Sequence, residues 1–172
     1  METSPQMGRV FWITGLSGAG KTTLAKALQQ ALPGSLLLDG DELREALGAG
    51  SRGFDVEGRR QLAKSYARLA GLLARQGATV IVATISLFHE LHAWNRANLP
   101  GYVEVFLDVP EEVRRERDPK GLYAANVRHM AGAEVRAELP LAPHLRFTGN
   151  ESLEAALAQV LGLAADPPDD CH

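Results

Sequence analysis

The chain has 172 residues, 45% of them hydrophobic, which suits one domain of ordinary size with a full core. Lys+Arg 18 against Asp+Glu 21 leaves a net charge of −3, which argues against a general nucleic-acid or membrane-surface binder while leaving room for a local basic cleft. No apolar run approaches the ~18 residues of a membrane span, and the opening METSPQMGRV has no signal-peptide core. The single cysteine, Cys171, forms no intrachain disulfide, so a soluble cytoplasmic protein is expected.

Strand and helix patterns alternate along the chain. RVFWITG reads as a buried strand, and Thr22 to Leu32 as a helix stopped by Pro33 and Gly34. SLLLDGD is a short apolar strand ending in two aspartates, followed by the short helix DELREAL and a glycine-rich loop, GAGSRGF. VEGRRQLAKSYARLAGLLARQG is a long amphipathic helix closed by Gly77. The β-branched run ATVIVATIS is typical of a central parallel strand. LFHELHAWNRANL is a helix ending before Pro100, and YVEVFLDV is the next strand. PEEVRRERD starts a helix with Pro110 and two acids in its first turn. LRFTG is a weak fifth strand, and SLEAALAQVLGL a closing helix capped by Ser152. The segment from DPKGLY to LAPH lacks periodicity and is expected to be a mobile lid. The expected architecture is α/β, a three-layer P-loop fold with a five-stranded parallel sheet and helices on both faces. Residues 1–165 are expected to make one domain, and 166–172 a disordered tail.

The loop between the first strand and helix carries the chemistry. Gly15-x-x-x-x-Gly20-Lys21-Thr22 has the spacing of a phosphate-binding P-loop. A phosphate chain needs several N–H donors converging on it, and glycines let the backbone curl round the anion without obstructing side chains. The following helix adds its unpaired N–H groups and positive dipole end. Gly15, Ser17, Gly18, Ala19, Gly20, Lys21, Thr22 and Thr23 are therefore the candidate nucleotide-binding residues. Lys21 reaches the β- and γ-phosphates, and the Thr22 hydroxyl ligates Mg²⁺. The plainer reading is a glycine turn. A dinucleotide fingerprint is ruled out, because Thr23 stands where its third glycine or alanine belongs. No guanine-reading Asn-Lys-x-Asp is present, which argues against a GTPase.

Asp39 and Asp41 end the second strand, where sites of parallel sheets gather. Either carboxylate can orient an acceptor hydroxyl, take its proton, or hold Mg²⁺, with Asp41 the candidate partner of Thr22 at the metal. The plainer role for Asp-Gly-Asp is a turn. Arg44, Arg52, Arg59 and Arg60 follow, and arginine forks suit phosphate or sulfate oxygens. Arg114, Arg115, Arg117 and Lys120 precede the irregular segment, where cations can neutralise charge during phosphoryl transfer. A polar helix face accounts for Arg114 or Arg115.

Taken together, GLSGAGKTTLA, LLDGDELR, GFDVEGRR, TIS-F and YVEVFLDVPEEVRRERDPKGLY resemble the adenylylsulfate kinases, P-loop kinases that phosphorylate the ribose 3′-hydroxyl of adenosine 5′-phosphosulfate. The resemblance runs from about Gly8 to Tyr123. It implies ATP and Mg²⁺ at Gly15 to Thr23, to which Arg117 of the cation cluster is added as a candidate nucleotide contact. It implies a catalytic or magnesium-organising role for Asp39 and Asp41 beside Lys21. It also implies acceptor contacts from Arg44, Phe54, Arg59, Ser86 and Lys120, and it suggests a homodimer. Departures fall on the acceptor side. Leu62 stands where the family carries asparagine, Leu87 replaces a proline, and His89 replaces an arginine. The family segment NFTG-DSPYE, whose phenylalanine stacks on the adenine, gives way to AANVRHMAGAEVRAELP, and losing such a stack costs ~1–3 kcal/mol.

Ser86, Phe88 and His89, with Asn95, Arg96 and Asn98, resemble instead a branch that phosphorylates cytidine diphosphoramidate. Singly, each has a plainer place: His89 and His92 on a helix surface, Trp94 in the core. A metal site at His89 and His92 is not expected, since no third ligand follows the HExxH type of pattern. The expected function is an ATP-dependent kinase for a small anionic nucleotide, adenosine 5′-phosphosulfate by default and cytidine diphosphoramidate or another specialised nucleotide as the alternative. A nucleotide-binding regulatory module without turnover is the alternative of another class.

Overall fold

The computed structural model describes residues 7–48, 55–117, 121 and 136–165. Its elements in chain order are β1 (Arg9–Gly15), α1 (Lys21–Ala31), β2 (Leu36–Asp39), α2 (Gly40–Ala46), α3 (Val56–Arg75) and β3 (Thr79–Thr84). Then come α4 (His89–Asn98), β4 (Tyr102–Leu107), α5 (Glu111–Arg117), β5 (Leu145–Phe147) and α6 (Leu153–Ala165). Each coincides with a predicted element, with ends displaced by a few residues. Phe54 and Arg52 of the glycine-rich loop, Lys120, most of the expected lid, and the tail from residue 166 with Cys171 lie outside the described residues.

The five strands form one parallel sheet in the order β2-β3-β1-β4-β5. The central strands β1 and β3 are buried along nearly their whole length, which is why their sequences are continuous apolar runs rather than alternations. Phe11, Ile13, Ile81, Val103 and Val105 face α1 and α6, through Leu24, Leu28, Ala156 and Val160. Val10, Trp12, Val80, Val82 and Tyr102 face the opposite layer of α3 and α4. There α3 presents Ala63, Ala67, Ala70 and Ala74, spaced so that small side chains line one stripe and bring the helix close to the sheet. Gly77, at φ 93°, follows α3, and Ser152 caps α6 by accepting from the Ala155 N–H at 3.1 Å.

The surface of α4 departs from expectation in two places. His92 is buried, and Trp94, expected in the core, is 37% exposed. The reason is the partner of the inner face: β4 carries Glu104, 2% exposed, among apolar neighbours, so α4 turns polar side chains toward it. Arg96 Nη2 reaches Glu104 Oε2 at 3.3 Å, and Tyr102 donates its hydroxyl to Glu104 Oε1 at 3.0 Å. Buried charge demands such partners.

Candidate functional site

Between β1 and α1 the chain makes a cup. Gly18 sits at φ 80°, and a Cβ there would lie 2.8 Å from the Arg114 carbonyl oxygen, so any side chain would push the loop off α5. Gly20, at φ 97°, begins α1 in the left-handed region that glycine tolerates. No side chain caps α1, and its first turn holds no acid. By contrast Asp39 caps α2, Asp55 caps α3, and Glu138 accepts from the first N–H of α4 at 2.6 Å. The N–H groups of the α1 terminus, with its positive dipole end, are thus arranged for an anion rather than for a capping side chain. Lys21 folds over the cup, its Nζ donating to the Leu16 carbonyl at 2.9 Å.

Helix α5 closes the cup from above. Arg114, assigned to a polar face by its sequence, is buried and donates its Nε to the Val109 carbonyl at 3.0 Å. Its backbone and Cβ pack on Gly18 of the loop while the neighbouring Val113 packs on the core, so the helix has a second buried side that the amphipathic pattern does not show. Arg117, one turn on, reaches Gly20: a Cβ on that glycine would stand 3.8 Å from its Nη1.

The cup opens into a cavity of about 1090 Å³ at the carboxyl ends of the strands. Ser17 to Thr23, Asp39, Asp41, Arg44, Arg59, Ser86, Phe88 and Arg117 all line it. The Thr22 hydroxyl donates to Asp39 Oδ2 at 2.7 Å, and Asp39 Oδ1 accepts from the Asp41 N–H at 3.0 Å. The carboxylate that Thr22 hydrogen-bonds is Asp39, whereas the sequence pairs Thr22 with Asp41 at the metal. Asp39 is buried by its place at the end of β2, whereas Asp41 is exposed in the first turn of α2. Hydroxyl and carboxylate oxygens are the donors a hard cation such as Mg²⁺ accepts. Among the described residues no group of three His, Cys, Asp or Glu could hold a metal by protein alone. An ion here would complete its shell with phosphate and water oxygens.

In the lining of the same cavity Arg44 of α2 and Arg59 of α3 come near enough for their charges to interact. Burial lowers the Arg59 pKa below its ordinary value, the like charge of Arg44 lowers it further, and Asp55 opposes both. Two guanidinium groups converging in a cleft form a site for an anion. Tyr66 donates its hydroxyl to the Gly40 carbonyl at 3.4 Å, and burial raises its pKa against the charge of Arg44. Val56, Leu62 and Tyr66 continue the α3 wall. Across from them the loop after β3 brings in Ser86 and Phe88, with the Arg60 guanidinium 4.7 Å from the Phe88 ring centre. Ser86 has φ 27°, a strained value for a residue with a Cβ.

His89 points elsewhere. Its Nε2 meets the Leu139 carbonyl at 2.9 Å, away from the cavity lining. The reason is residues 136–144, the end of the expected lid, which are fastened down. Glu138 N–H donates to the Leu87 carbonyl at 3.2 Å, Arg96 Nη2 to the Ala142 carbonyl at 2.7 Å, and the Glu104 N–H to His144 Nδ1 at 2.8 Å. Gly15 lies below the cavity at the end of β1, while Phe54 and Lys120 lie outside the described residues. Sequence reasoning missed Arg136, Tyr66 and Val56 in the lining. Val56 and Tyr66 share the helical face of Arg59, so the 3.6-residue period could have found them. Arg136 sits in an aperiodic stretch that gave no signal.

Comparison with known proteins agrees with this geometry. A family model described as adenylylsulphate kinase matches residues 7–148. An adenylyl-sulfate kinase of Deinococcus deserti is 45% identical over 164 residues, covering 90% of each chain. A cytidine diphosphoramidate kinase of Campylobacter jejuni is 38% identical over 139 residues, covering 76% of this chain and 81% of its own. The structure of the Mycobacterium tuberculosis APS kinase in complex with AMPPNP and APS superposes with a TM-score of 0.86 at 34% identity, covering 94% of this chain and 100% of that one. With a P-loop cup, a buried aspartate at its threonine and paired arginines across one cavity, the chain belongs to the adenylylsulfate kinase family of ATP-dependent kinases.

Proposed function

We propose that this kinase moves the γ-phosphoryl group of ATP to the 3′-hydroxyl of adenosine 5′-phosphosulfate. The observation that carries the reading is one cavity lined by both the phosphate cup and the Arg44–Arg59 pair. The cup and Lys21 hold the β- and γ-phosphates of the donor. Thr22 would hold Mg²⁺ directly and Asp39 through water; when bound, the ion supplies positive charge to the donor phosphates. Arg44 and Arg59 clamp the sulfate and phosphate of the acceptor, and Phe88 covers one face of it. The acceptor oxygen forms a bond to the γ-phosphorus as the bond to the β-bridging oxygen breaks. Its proton passes to the Asp39–Asp41 pair, and ADP leaves. Arg117 of α5 faces the charge that develops on the transferring group. Positioning and electrostatics supply the rate, since the transfer needs no covalent intermediate.

The 38% identity to a cytidine diphosphoramidate kinase supports that nucleotide as a second acceptor reading. An ADP-release assay with ATP, Mg²⁺ and each nucleotide in turn decides between them. The expected result is the largest kcat/KM with adenosine 5′-phosphosulfate. Preference for the cytidine compound would replace the acceptor, and tight ATP binding without ADP release would make the chain a regulatory module. Among the described residues no helix is long and apolar enough to cross a membrane, and cytoplasmic action is part of the same proposal. So is the homodimer implied by the family, which light scattering tests.

A further inference from the structure

The strained Ser86 has a buried support that the transfer chemistry does not use. His92, 7% exposed on the inner face of α4, places Nε2 3.1 Å from the Ser86 carbonyl oxygen. A carbonyl only accepts, so Nε2 carries the hydrogen. The same oxygen accepts from the Phe88 N–H at 3.2 Å, and the Ser86 and Thr84 hydroxyls lie 2.8 Å apart. On its other edge His92 Nδ1 stands 3.9 Å from Glu104 Oε1, too far for a hydrogen bond. Glu104 is itself held by Tyr102 and Arg96. The imidazole is thus wedged between a fixed carboxylate on β4 and the loop that forms one wall of the cavity.

We infer that His92 is a positioning residue for the acceptor: its Nε2–H fixes the Ser86 carbonyl, and through it the placing of Ser86 and Phe88 in the cavity wall. Without that donor, Ser86 has one tether fewer at a backbone angle that disfavours a Cβ, and the loop relaxes toward ordinary φ. Burial, helped by the charges of His89 and Arg96 and opposed by the Ser86 carbonyl and Glu138, lowers the His92 pKa, so the ring works as a neutral donor. His92 itself bonds the Ser86 side of this loop, while the donor part of the cavity, built from β1, α1 and α5, meets the loop one residue earlier, where the Thr14 hydroxyl donates to the Ile85 carbonyl.

The inference rests on the acceptor reading of that cavity wall, and its test separates the two. In the full chain, His92→Leu removes the donor at similar bulk, and His92→Gln restores an amide N–H near Nε2. Loss of one such hydrogen bond corresponds to about a tenfold rise in acceptor KM, with ATP KM unchanged and His92→Gln within about threefold of the parent. Crystals of the Leu variant should show Ser86 leaving positive φ. If that variant does not fold, His92→Asn, whose amide stops short of Ser86, takes its place with the same expected outcome. Ser86 keeping positive φ in a folded Leu or Asn variant, both KM values rising together, or Gln as impaired as Leu would each overturn the role of His92. Absence of turnover in the parent strikes the acceptor reading alone, because the φ of Ser86 is read without substrate.

Discussion

The two parts of the cavity wall are built by different means. The proposed donor part is backbone: a loop closed by glycines, a helix terminus without a cap, and one lysine folded over it. The proposed acceptor part is side chains from several elements: Arg44 of α2, Arg59, Leu62 and Tyr66 of α3, and Ser86 and Phe88 after β3. Backbone recognition of a polyphosphate tolerates little change, because each N–H depends on the path of its neighbours. Side-chain recognition can be altered one residue at a time. On the proposed reading, that difference lets the wall carry Leu62 and Leu87 beside a complete Gly15-x-x-x-x-Gly20-Lys21-Thr22 loop.

Substitutions in the two parts should therefore fail differently. The largest effect is expected from Lys21→Ala: kcat/KM should fall by about 10³-fold or more, with the thermal midpoint retained. Near-parental turnover would remove Lys21 from the donor site. Asp39→Asn comes next. It keeps shape but loses the charge beside Thr22, and a drop in kcat on the order of 10²-fold is expected. A drop confined to KM would make Asp39 merely the cap of α2. Arg59→Ala should sharpen the contrast, raising acceptor KM by about tenfold while ATP KM stays within about twofold. Equal increases would mean that Arg59 does not belong to the acceptor part.

The smallest effect concerns stability rather than turnover. Burial, against the hydrogen bond from Tyr102 and the charge of Arg96, raises the Glu104 pKa above the ordinary 4.5. The folded state then keeps a proton that the unfolded state has lost. Stability from this group is full below pH 4.5 and declines as the pH rises through the folded value. Glu104→Gln cannot titrate, so the stability of the parent relative to this variant should decline upward from pH 4.5 in urea unfolding. Parallel pH profiles would show that Glu104 is not titrating differently on folding.

The same contrast explains what the sequence made legible. The strands, the helices and the cup follow from local rules, namely apolar runs, helical spacing and glycine positions. Arg44, Arg59 and Asp39 were readable because they follow motif elements closely. Their partners were not, because contacts across the fold leave no local trace. Nothing in the sequence joined Thr22 to Asp39 in preference to Asp41, or hid Arg114 behind Gly18. His89 looked like a pocket residue by its position after Phe88, yet residues 138 and 139, some 50 positions away, claim it. His92 and Trp94 exchanged their expected places because the buried charge of Glu104, on another element, decides which face of α4 turns inward.

The most direct measurement is the mass and ³¹P spectrum of the nucleotide recovered after the chain has acted on adenosine 5′-phosphosulfate with ATP and Mg²⁺. The account predicts one added phosphoryl group, about 80 daltons, carried by the 3′-oxygen, with one ADP formed for each. An acceptor recovered unchanged, with ATP intact, would contradict it.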